Sequence, residues 1–177
     1  MKKLKTINDI KYSAFKKAEP YLKNVDNITT EEIVKVVSFI YEEEESVVKE
    51  MNYTLILEYF NLFLVTMGTN ETDLVTKFES EGVKYGFIPN FSEITTGELI
   101  DLDSLLVDKN FEGIASILYR PITKENKDGR YEIEPYKGYD AELFKNASVR
   151  FYLGFIDFFF KSYQILKNNS LTSLNKK

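Results

Sequence analysis

The segment from Ala147 to Lys167 places the strongest limit on what this chain can fold into. Phe151, Tyr152, Phe155, Phe158, Phe159, Phe160 and Tyr163 crowd one apolar run. Their spacing predicts a helix, with Asn146 or Ser148 available as its N-cap. Positions 151, 155 and 158 share one face, while 152, 156, 159, 160 and 163 form a wider neighbouring one. That is more ring surface than one small core hides. The helix is therefore read either as a plain core helix or as one that offers part of its surface to another chain. Val47 to Met67 makes a similar demand. Leu55, Ile56, Tyr59, Phe60, Phe63 and Leu64 lie nearly all round it, so it is expected to be buried in the fold or between subunits, with Gly68 as C-cap.

Composition decides which chemistry is open. With 177 residues, 44% hydrophobic and 15% aromatic, the chain suits one domain with a real core. It has no histidine and no cysteine. Disulfides, thiolate zinc sites and nucleophilic triads built on histidine are excluded. A net charge of −5 argues against direct nucleic-acid binding, which needs a basic footprint. Met1 to Lys5 is basic, but no apolar signal core follows it. The two apolar segments are interrupted by charge or too short to span a bilayer, so no membrane association is expected.

Taken in order, residues 1–28 read as a short helix plus an arm, or as a peripheral helix on the same core. Thr29 and Thr30 before Glu31 and Glu32 start a helix that carries Ile33, Val36, Val37, Ile40 and Tyr41. The run Glu42 to Glu45 points in four directions on a helix and cannot converge on one ion, so it reads as a solvated helix end. Asp73 to Glu81 is expected to form a short helix ending at Gly82. Val83 to Ile88 is expected to form a strand. Residues 123–137, tipped by Asp128-Gly129, read as a hairpin or loop arm. Ala141 to Lys145 should be a short helix, and 168–177 a polar tail.

The central stretch, Ile94 to Ile122, reads as a helix pair. Thr95 and Glu98 have the spacing of a capping box, followed by Leu99, Leu102, Leu105 and Leu106 on one face. A second helix opens near Asp108, carries Phe111, Ile114, Ala115 and Leu118, and is stopped by Pro121. Helices in such short pairs return antiparallel. Arg120 is therefore expected to reach Glu98 or Asp101 as a bidentate structural ion pair. Capping and pairing explain Glu98, Asp101 and Asp103 better than a metal or acid–base site does, and no glycine pattern matches a phosphate loop.

Thr-Gly-Glu-Leu-Ile-Asp-Leu, then Ile-Leu-Tyr-Arg-Pro-Ile, then Tyr-Glu-Ile-Glu-Pro-Tyr resembles a family of small proteins from tailed bacteriophages, crAss-like phages among them. Members of that family belong to structural and tail-assembly modules. The resemblance spans roughly residues 85–166. It implies a virion structural protein, a ring or connector subunit of the portal–tail region, made in the host cytoplasm. Its implied partners are copies of itself in a ring and other virion proteins such as portal or tail components. A non-virion tail-assembly chaperone is the alternative. Neither reading includes enzymatic activity, a cofactor or a metal.

The expectation is a mainly α, compact helical domain over residues 29–167, of about five to seven helices with a minor β hairpin and extended terminal arms. Tyr131, Tyr136, Tyr152, Phe159 and Tyr163 are the expected interface residues.

Overall fold

The computed structural model describes residues 3–68, 73–80 and 82–174, with side chains to Tyr163. Among these residues the fold is mainly α. Seven α-helices accompany a small four-stranded antiparallel sheet. The chain divides into two units, one from residues 1–72 and 146–152, the other from 73–145 and 153–177.

In the first unit, α1 (Tyr12–Ala18), α3 (Glu45–Lys49) and α4 (Tyr53–Met67) pack on α2 (Thr30–Tyr41). The start of α2 is held by a capping box: the Glu32 amide donates to Thr29 Oγ1, and the Thr29 amide donates to Glu32 Oε2 at 2.8 Å. Its buried positions include Ile33, Val36, Val37, Ile40 and Tyr41, the set that the helical spacing marks out. Ile7, Ile10, Ala14 and Ala18 of the opening segment are buried too. A bridge between Lys11 and Ser148 ties this segment to residues 147–149, and Tyr12 stacks on Tyr152 with centroids 3.7 Å apart.

The glutamate run is dispersed. Glu42 turns through the left-handed region (φ 55°) and pairs with Lys11, while Glu45 pairs with Lys49. Helix α4 is not apolar-buried all round. Ile56, Phe60, Phe63 and Thr66 form its inner face, whereas Leu55 and Val65 are exposed.

The second unit is built on the sheet order β1 (Lys77–Ser80), β2 (Val83–Phe87), β3 (Tyr119–Glu125), β4 (Tyr131–Ile133). The sequence leads one to expect a helix over 73–81; Glu81 lies outside the described residues, and residues 77–80 form strand β1 instead. Gly82, at φ 76°, allows a tight return. Phe78 then stacks on Tyr85 at 5.2 Å and meets Tyr119 and Phe144 edge-on, packing that a helix there would lose. Tyr119 is fully buried, and its hydroxyl donates to the Val75 carbonyl at 2.8 Å.

Helices α5 (Thr96–Val107) and α6 (Phe111–Leu118) form the expected pair. Gly113 lets them approach, since a Cβ there would sit 2.8 Å from Leu105 Cδ2. Helix α6 ends earlier than Pro121, and Tyr119-Arg120-Pro121 enters β3. A proline is tolerated inside this strand because its missing N–H lies beyond the end of β4. Its carbonyl still accepts from the Glu134 amide at 2.9 Å. Residues 141–144 form a single 3-10 turn. Helix α7 (Val149–Leu174) has Ser148 at its start, accepting from the Phe151 amide, and continues into the segment expected to be a tail.

Candidate functional site

Residues 96–102, 117–122 and 131–136 meet in the second unit. Glu98 lies in the first turn of α5, where Thr95 opens the helix. The Thr95 amide and hydroxyl donate to Glu98 Oε2 at 2.7 and 2.6 Å. The capping box thereby fixes the carboxylate and leaves Oε1 facing Arg120. The register of β1, β2 and β3 places Arg120 on the sheet face opposite the Phe78–Tyr119 cluster, since Gly86 pairs with both Lys77 and Arg120.

Arg120 Nη1 stands 3.0 Å from Glu98 Oε1, and the two side chains are only 13% and 3% exposed. The pair differs from the expected fork. Contact runs through one nitrogen, Arg120 Nε has no hydrogen-bond partner, and Glu98 Oε1 lacks an aligned donor. Coulomb attraction at short range in a poorly solvated place holds it, more than hydrogen-bond geometry does. Asp101 is engaged elsewhere: it accepts from the Tyr136 hydroxyl. Burial, and then that bond to Asp101, push the Tyr136 phenol far above its ordinary range, so it remains a donor at neutral pH. Thus α5 is joined to β3 by Glu98 and to the segment after β4 by Asp101.

A cavity of about 210 Å³ opens beside Arg120, with Tyr85, Pro121, Pro135 and Leu143 among its walls. Its charged rim is largely neutralised, as Lys137 pairs with Glu134 at 2.8 Å. Among the described residues no three carboxylates converge as a metal site would require. No helix among them is long and apolar enough to cross a membrane.

The five expected interface residues are placed as follows. Tyr152 and Phe159 are fully buried. The helix periodicity identifies a face but not which other segments cover it. Tyr131 is half-buried and serves the sheet: its hydroxyl donates to the Phe87 carbonyl at 2.7 Å, and its ring covers Gly86. Tyr136 is held by Asp101, and Tyr163 is half-buried with its ring 5.2 Å from Phe159. The exposed apolar side chains of this unit are others, notably Ile100 and Val107 on α5 and Phe158 and Phe160 on α7. Sequence reasoning passed over Ile100 and Val107. Their seven-residue spacing on one face of α5, outside the leucine stripe, is the signal that marks them.

No family model, curated protein or solved structure matches the chain.

Proposed function

We propose that this protein is a structural subunit of a tailed-bacteriophage particle, one copy in a ring or connector of the portal–tail region. The observation that carries the reading is the joining of its three motif segments. Glu98 with Arg120, Asp101 with Tyr136, and the Pro121 carbonyl with the Glu134 amide all link one segment to another. The most distinctive polar residues are thus spent on holding a scaffold in shape. A scaffold whose motif is internal acts through its surface. Here α5 and α7 leave Ile100, Val107, Phe158 and Phe160 available for protein contacts.

A head-to-tail contact that closes after a fixed rotation makes a ring from such a subunit. A few apolar anchors would supply most of the affinity, with surrounding lysines and glutamates setting register. Light scattering on the purified protein, alone and mixed with the portal protein of the same phage, tests the reading. A discrete closed oligomer in either sample is expected. A monomer in both would exclude the ring and favour a transient assembly chaperone.

A further inference from the structure

We propose that the outer edge of β1 is a pairing surface for a second copy of this chain, joined antiparallel about a two-fold axis at Phe78. The Phe87 amide donates to the Thr76 carbonyl, and the Ile88 amide donates to the Leu118 carbonyl. With Lys77 opposite Gly86 and Gly86 opposite Arg120, these two bonds set the phase of the ladder. Residues 76, 78 and 80 bond towards β2, and residues 77 and 79 present their N–H and C=O groups to the outer side. Among the described residues no strand pairs with that side, since β1 ends the sheet order.

A second copy fits because the edge is complementary to itself. Turning β1 about an axis through Phe78 sets Lys77 opposite Glu79 of the other copy, and Glu79 opposite its Lys77. These are the residues with free backbone groups, so each such pair can exchange both hydrogen bonds. Each also brings opposite charges across the strands, the favourable sign for a cross-strand pair. On the sheet's other face Thr76 meets Ser80, a compatible hydroxyl pair. Shifting the register by one residue would oppose bonded groups to free ones and put Glu79 out of line with Lys77. Lys77 Nζ donates to Glu125 Oε1 at 2.6 Å and to the Gly129 carbonyl at 2.9 Å over the Tyr131 ring, so an incoming Glu79 would share this ammonium with Glu125, and the backbone bonds carry most of the contact. The other edge strand, β4, is only three residues long and is followed by Pro135, which has no N–H to offer.

A strand this short gives a weak, concentration-dependent contact rather than a permanent dimer. It is also separate from the proposed ring: a two-fold contact and a head-to-tail contact use different symmetry, and either can exist without the other.

The experiment is residue-resolved amide exchange on the full chain at low and high concentration, with sedimentation run on the same samples. The amides of Phe78 and Tyr85 should be protected throughout. Those of Lys77 and Glu79 should slow by about tenfold or more as dimer appears. Glu79→Pro removes an outward N–H while sparing the bonds to β2, and should abolish both the dimer and the change at Lys77. Exchange at Lys77 and Glu79 that ignores concentration overturns the proposal, whether or not larger oligomers form. So does a dimer that survives Glu79→Pro in a folded protein. Rings without protection at these amides would leave the ring reading intact and remove this one.

Discussion

Replacing Arg120 by alanine tests the link between α5 and β3 directly. Glu98 is 3% exposed, and its Oε1 has no aligned donor even with the arginine present. Without the guanidinium, a buried carboxylate keeps only its bonds to Thr95. Breaking one partner of a buried pair costs about 3–5 kcal/mol. The lower end applies here, because Arg120 is 13% exposed and water can enter the space it leaves, while Thr95 still satisfies Oε2. For a chain of this length each kcal/mol moves the midpoint by roughly 2–4 °C, so about 3 kcal/mol corresponds to roughly 6–12 °C. Calorimetry and urea unfolding measure it. Arg120→Lys should lose less, since a single-nitrogen contact survives in part. Glu98→Gln with Arg120→Met should lose less than Arg120→Ala, because no buried charge is stranded. An Arg120→Ala protein melting within about a degree of wild type would refute the reasoning.

The remaining predictions concern packing, polar contacts and pH. Gly86→Ala would put a Cβ 2.4 Å from the Tyr131 ring and 3.0 Å from Ile122, and should destabilise by about 1–3 kcal/mol in chemical unfolding. Tyr136→Phe removes the donor to Asp101 and should cost about 1.5–3 kcal/mol, read in the same assay. Burial raises the phenol pKa values of Tyr41, Tyr119 and Tyr136 above the ordinary 10.0. The unfolded chain therefore loses these protons first. The stability they contribute is complete below about pH 10 and declines as pH rises further, which melting curves across that range with tyrosinate absorbance will follow.

What was legible in the sequence was local. The capping boxes at Thr29–Glu32 and Thr95–Glu98 need only a three-residue spacing, and both occur. The inner face of α2 follows from periodicity alone. Arg120 reaches Glu98, but from a strand and not from a helix end, because α6 yields to the pairing of β3 with β2. Strand β1 was hidden for a related reason. Residues 73–80 alternate weakly, and their extended form depends on Tyr85 and Tyr119, which are distant in sequence. The burial of Tyr152 and Phe159 is equally non-local. Tyr152 is covered by Tyr12 from the far end of the chain, and Phe159 meets the Phe91 ring at 6.2 Å. Periodicity tells which rings lie together on α7. Only the tertiary fold tells which of them remain outside.

The central proposal is that this chain is built into a phage particle as a repeated subunit. Quantitative mass spectrometry of purified virions of the encoding phage, with the portal protein as internal standard, tests it most directly. The account predicts the chain in mature particles at a fixed ratio to portal, in line with one symmetric layer. Its absence from particles, with abundant protein in infected-cell lysate, would contradict the claim.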